Sequence, residues 1–267
     1  MIRNKKMRRM DRVRIYSIVV ALLIGIMVPR FGGAGELNIL FSAYTPPYVF
    51  QDKNEKGDGI VVEIVREALD GQGYKIHPVY LPIGRSFKMF SEEQVDGTTI
   101  IQESSGLDAN YSDYFMQYHN FAITRTDRNI AIHGMEDLLG KDIIAFQQAN
   151  KYLGPKFGAI AVGNLQYSEM DNQERQVHML LAGRTDVAIM DESIFRYYSQ
   201  KLVSEGKISL EPKVTFHNLF PPTPYRAAFV DPKVRDAFNA GLAILRANGR
   251  YRAIYDKYIR LYFDIKE

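Results

Sequence analysis

Short apolar runs alternate with amphipathic segments along this chain, and that alternation restricts the fold more than any other feature. LNILFSAY (37–44), KIHPVYL (75–81) and VDGTTII (95–101) are bounded by turn formers and predict buried strands. Between them, IVVEIVREALDGQGY places Val61, Ile64, Val65 and Ala68 on one helical face, and Gly71 and Gly73 end the helix. GRSFKMFSEEQ predicts a second helix. Strands joined by single helices form a β-α-β-α-β unit, with a mostly parallel sheet covered by helices.

The pattern then restarts. FAITRTD (121–127), KDIIAFQ (141–147), NLQYSEM and TDVAIM (185–190) predict strands, and KISL and VTFHNLF read as extended. MEDLLG, NKYLGPKFG, NQERQVHMLLAG (172–183) and DESIFRYYSQKL read as helical. PYRAAFV (224–230) predicts a strand that crosses back, before two closing helices, VRDAFNAGLAILRANG and YRAIYDKYIRLYF. Their tyrosines 251, 255, 258 and 262 recur at helical spacing, as on a face packed against a core. No low-complexity linker separates the halves, so strands pass directly between them and can serve as hinges. In open α/β sheets ligands lie at the carboxyl ends of strands, which directs attention to the residues that follow each strand.

The N-terminus reads as an address. MIRNKKMRRMDRVR is basic, IYSIVVALLIGIMV (15–28) is apolar, and PRFGGAG ends in small residues, the three-part plan of a secretory signal. The apolar segment falls short of the ~20 residues that a spanning helix needs. Cleavage is expected near Gly35–Glu36, with an uncleaved anchor as the alternative; both place the remaining chain outside the cytoplasm. Residues 1–35 hold eight of the 34 basic residues and one of the 31 acidic ones, leaving 26 against 30, a net charge of −4. The overall +3 therefore belongs to the leader and gives no support for nucleic-acid binding, which needs a basic face on the folded domain. The absence of Cys excludes disulfides, thiolate metal sites, Cys nucleophiles and a lipoprotein form.

YTPPYVFQDKNEKGDGIVVEIVREAL, VDGTTI, YSDYF, MEDLLGKDIIAFQQAN, AGRTDVAIMDE and FNAGLAILRANGRYRAIYDKY, in this order and spacing, resemble the extracytoplasmic solute-binding proteins of polar amino acid ABC transporters, family 3. The resemblance spans residues 37–263. It implies an α/β, two-lobed type II periplasmic-binding-protein fold, with two mixed, mostly parallel sheets flanked by helices and joined by hinge strands. It further implies residues 36–118 and 226–267 as lobe 1 and 119–225 as lobe 2, with a small polar, amino-acid-like ligand between them. The partner would be the membrane subunits of an ABC transporter or a membrane sensor, the location the periplasm, and the protein a monomer.

The resemblance also implies site residues. Tyr44 and Tyr48 match the aromatic that covers the ligand, although either also fits a core position. Asp191 matches the carboxylate that grips the ligand's ammonium, and the same residue fits a helix N-cap for DESIFRYYSQ. QQAN (147–150) brings Ala149 and Asn150 to a helix start whose backbone amides suit an anionic group. Thr98 and Phe146, in the strands before these turns, complete the wall. Amino acid binders carry an Arg before the YSDYF-like segment that clamps the ligand's carboxylate, but this chain has no Arg between residues 86 and 124. Arg85 is the available substitute, and Glu103 brings acid instead.

No G-x-S-x-G elbow, phosphate-binding Gly loop or H-E-x-x-H motif occurs, and the five His are scattered without metal spacing. The expectation is a non-enzyme without metal or cofactor. The alternatives are a sensing role beside a membrane signalling protein and a dehydratase-like enzyme using Glu103.

Overall fold

The computed structural model describes residues 35–43, 45–50, 59–208 and 213–263, with side chains to residue 260. The segment read as a secretory signal, Tyr44, and Ser209 and Leu210 of KISL lie outside the described residues.

The first sheet grows from β1 (Gly35–Ser42), which pairs in parallel with β2 (Tyr74–Leu81) and with β3 (Gly97–Ile101). The βαβ connections between these strands supply α1 (Ile60–Asp70) and α2 (Ile83–Ser91). On α1, Val61, Ile64, Val65 and Ala68 are buried as the spacing predicts, together with Ile60, Val62 and Leu69. The sheet is completed by antiparallel strands from later in the chain: β4 (Asn110–Tyr111), β5 (Met116–Tyr118) and β11 (Thr223–Phe229). Its order is β2-β1-β3-β11-β4, with β5 on β11.

The second sheet contains β6 (Asn120–Arg125), β7 (Ile143–Phe146), β8 (Tyr167–Met170), β9 (Val187–Asp191) and β10 (Val214–His217), in the order β10-β6-β9-β7-β8. The pairs β7/β8 and β7/β9 are parallel, while β6 pairs antiparallel with both neighbours. Its helices are α3 (Ala149–Tyr152), α4 (Pro155–Gly163), α5 (Gln173–Leu181) and α6 (Glu192–Ser204). The sequence reads NKYLGPKFG as one helix, but two form. Gly154 turns at φ 90° and Pro155 starts the second, where its missing N–H costs nothing. The segment MEDL is a single 3-10 turn.

Two chain passages join the sheets. The first runs from β5 through His119 into β6, and the second from β10 into β11. They lie side by side as an antiparallel pair, Met116 opposite Tyr225 and Tyr118 opposite Thr223. The short strands β4 and β5 had no signature in DANYSDYFMQY, because their pairing partner is more than 100 residues away.

The chain closes with α7 (Pro232–Ala247) and α8 (Arg250–Phe263), which pack on α1. Of the tyrosine stripe, Tyr258 is buried and donates to Glu63 Oε2 at 2.7 Å, and Tyr251 donates to the Phe115 carbonyl at 2.7 Å. One apolar core runs from Ile39 and Val61 under the first sheet to Ile144 and Phe195 under the second. A smaller cluster surrounds Leu40, Phe90 and Ile101.

Candidate functional site

β9 ends at Asp191, and α6 begins at the next residue. A strand that runs straight into a helix leaves the first helical amides without intrahelical acceptors, and Asp191 supplies one. Its Oδ1 accepts from the backbone N–H of Ser193 (2.9 Å) and of Ile194 (3.2 Å). Its Oδ2 accepts from the N–H of His119 in the crossing passage (2.9 Å). The side chain is 2% exposed. Burial raises its pKa from 3.8 to about 6, opposed by the three amides and by a hydroxyl from the other sheet.

That hydroxyl is Tyr48, at 3.2 and 3.3 Å from the two carboxylate oxygens. One hydroxyl proton shared between two long contacts makes a weak hydrogen bond. Tyr48 is placed by the segment Thr45–Phe50, whose carbonyls at Pro47 and Tyr48 accept the first amides of α1, from Ile60 (3.1 Å) and Val61 (2.9 Å). Its ring stacks on Tyr118 at 4.2 Å, and aromatic contacts continue through Tyr225 to Tyr152. Burial and the neighbouring carboxylate push the Tyr48 hydroxyl well above its ordinary pKa. A second polar contact joins the two sheet systems: Gly84 N–H, at the head of α2, donates to Gln147 Oε1 after β7 (3.1 Å).

Between these contacts lies a narrow crevice with about 30 Å³ of enclosed space, or about 400 Å³ when its open mouth is counted. The first sheet and α2 contribute Ser42, Ile83 and Ile100, and Thr45 lies beside them. The second sheet and its helices contribute Asn120, Phe146, Tyr152, Gln173, Asp191 and Ile194. Tyr118 and Tyr225, from the two crossing strands, form its back. Ile100 sits where β3 slips register against β11, with φ at 55°, a conformation a β-branched residue rarely adopts. Such bulges re-aim side chains, and this one turns an isoleucine into the crevice. Asn120 Nδ2 and Tyr152 Oη are buried there without a hydrogen-bond partner.

Of the residues singled out from sequence, Phe146 and Asp191 line the crevice, and Tyr48 touches Asp191 from behind it. Tyr44 lies outside the described residues. Thr98 is buried within β3, between Leu40 and Ala228, and does not line the crevice. Arg85 is exposed on α2 and lies outside the lining. Glu103 is exposed and pairs with Arg226 Nε at 3.3 Å. Ala149 is buried at the first position of α3, with Asn150 behind it. The amides expected to meet an anionic ligand are engaged by the chain itself. Gln148 N–H and Asn150 N–H donate to Glu169 Oε2 and Oε1, at 2.7 and 3.0 Å. Tyr167 fixes that carboxylate with a 2.6 Å bond. Sequence reasoning missed Tyr118, Asn120 and Tyr225 because they belong to the crossing passages; the strand-end rule could have pointed to them once the crossings were placed. Among the described residues no three His, Asp or Glu side chains gather as metal ligands.

The model of the bacterial extracellular solute-binding proteins, family 3, matches residues 37–261. No curated protein matches the sequence. Among solved structures, a mutant of ArgBP from T. maritima superposes with a TM-score of 0.67 at 20% identity, over 86% of this chain and 96% of that one. A histidine kinase sensor domain with similarity to periplasmic binding proteins gives 0.69 at 20% identity, over 85% and 96%. An ancestral amino acid-binding protein, a precursor of cyclohexadienyl dehydratase, gives 0.66 at 18% identity, over 84% and 95%. At these identities the likeness is one of fold.

Proposed function

The chain belongs to the bacterial extracellular solute-binding proteins, family 3, and on that premise we propose that it captures a small polar solute in the crevice between its two sheets. Lobe 1 comprises residues 36–118 and 226–267, and lobe 2 residues 119–225. One observation carries the reading. The crevice is walled by side chains from both sheets, and its back is formed by the two paired strands through which the chain passes between them. A guest there touches both lobes at once and so binds the closed form better than the open one. The closed form described here is held by Tyr48–Asp191 and Gln147–Gly84. Without a guest, these two neutral-donor contacts contribute about 1–3 kcal/mol together, beside ring contacts such as Phe50–Tyr197.

The protein works in the periplasm as a monomer, and delivery of the solute to the membrane subunits of an ABC transporter is the primary reading. The sensor-domain relative in fold supports a second reading, in which the closed form is presented to a membrane signalling protein. The dehydratase alternative finds no support in the placement of Glu103, which is tied to Arg226 and lies outside the crevice lining. A thermal-shift screen over amino acids, amines, small peptides and organic acids tests the reading. A ligand selective for the folded form raises Tm, and no response in any class would refute solute capture.

A further inference from the structure

We infer that the crevice selects a small organic amine that lacks a carboxylate and carries a neutral oxygen acceptor, such as an amino alcohol or amino amide. The inference rests on the solute-binding reading above and specifies its ligand. Among the described residues, every lining residue except Asp191 is uncharged, and none is Lys, Arg or His. Among the described residues, the helix-start amides and the nearby arginines that could receive a ligand carboxylate are otherwise engaged or lie outside the lining. The amides at Gln148 and Asn150 hold Glu169. Arg226 donates to the Ser112 carbonyl, lies 3.8 Å over the Tyr114 ring and pairs with Glu103. Arg85 lies outside the lining, and the bulge residue aimed inward is Ile100, which has no donor. A carboxylate would therefore lose its hydration beside the like charge of Asp191 with no cation to receive it, a heavy penalty in a mostly apolar site.

An ammonium meets the opposite situation. Asp191 already accepts three amides, and its fourth donor is the Tyr48 hydroxyl at 3.2–3.3 Å. A charged donor makes a shorter and roughly twofold stronger bond than that hydroxyl, and Asp191 itself lines the crevice. The rings of Tyr118, Tyr152, Tyr225 and Phe146 stand around the space and favour a cation over their faces. Asn120 Nδ2, buried and unpaired, is a donor in want of an acceptor, and Tyr152 Oη, also in the lining, has no partner. A hydroxyl or carbonyl oxygen on the ligand satisfies them without adding negative charge.

The test is calorimetry on the full chain at pH 7.5 with matched pairs: ethanolamine and serine, glycinamide and glycine, argininamide and arginine, histamine and histidine, tyramine and tyrosine. The expected result is that the tightest-binding pair favours its carboxylate-free member at least tenfold, and that Asp191→Asn weakens that member at least tenfold. An amino acid that binds as tightly as its partner, or more so, overturns the inference and leaves solute capture standing. If neither series binds, the inference is overturned, and the thermal-shift screen over the wider ligand classes decides solute capture by itself. The pairwise comparison uses the native chain, so it decides the matter even if the variant folds poorly.

Discussion

Asp191 carries two duties whose pH dependences oppose each other. Because burial raises its folded pKa above the unfolded value, the protonated form is the one folding favours. Its contribution to stability is complete below the unfolded pKa of 3.8 and is lost as pH rises through about 6. At about 1.4 kcal/mol per pKa unit, the loss is roughly 3 kcal/mol. Asp191→Asn keeps a side-chain oxygen for the α6 cap and cannot ionise. Its stability relative to the native chain should therefore improve by about that amount between pH 4 and pH 7 in denaturant titrations; a constant difference would place the carboxylate in a more solvated setting. Ligand capture runs the other way, since an ammonium needs the ionised form. Among the described residues, the ionisable side chains coupled to Asp191 include the hydroxyls of Tyr48, Tyr118, Tyr225 and Tyr255, which stay neutral across this range because burial raises each of them. Amine affinity should therefore fall about tenfold from pH 7.5 to pH 5 with the group's ionised fraction, measurable by calorimetry at both pH values.

At the level of elements, α1 ties the core to the site. Its N-terminal amides hold the carbonyls of Pro47 and Tyr48, and this approach is possible because residue 59 is glycine. Gly59 has φ 103°, and a Cβ there would lie 2.4 Å from the Tyr48 carbonyl oxygen. At its other end, α1 packs on α7 with Gly241 directly over the Ala68 carbonyl, where a Cβ would lie 1.9 Å from the oxygen. Gly241→Ala must push these helices apart, and overpacking of this kind costs about 1–3 kcal/mol. We expect a lower Tm by differential scanning calorimetry; an unchanged Tm would mean the interface has slack. Gly59→Ala should also weaken ligand binding, because its clash acts on the backbone that positions Tyr48.

For the whole molecule, the decisive arrangement is a pair of antiparallel strands connecting two sheets, with few polar contacts across the gap. A guest need supply only modest extra affinity for the closed form to shift the population. Tyr48→Phe removes a hydrogen bond between the two sheet systems, weakening ligand-free closure by roughly 1 kcal/mol. Small-angle scattering should then show a larger radius of gyration for the ligand-free variant than for the native chain, and saturation with the preferred amine should bring both to the same value. Identical scattering with and without ligand would remove hinge closure from the mechanism.

The two βαβ halves, the helix faces and the strand ends were legible in the sequence, because the periodicity of apolar residues is a local consequence of which face meets the core. The buried face of α1 and the position of Asp191 between strand and helix follow from such local patterns. The missing arginine was equally visible. What tertiary structure alone decided is which groups remain available in the crevice. That Glu169 covers the amides of Gln148 and Asn150, that Arg226 is held by Glu103, and that Ile100 turns inward at a bulge all depend on partners distant in the chain. A side chain's identity is written at its own position, but whether its hydrogen bonds and charge are already spent depends on neighbours that only folding brings within reach.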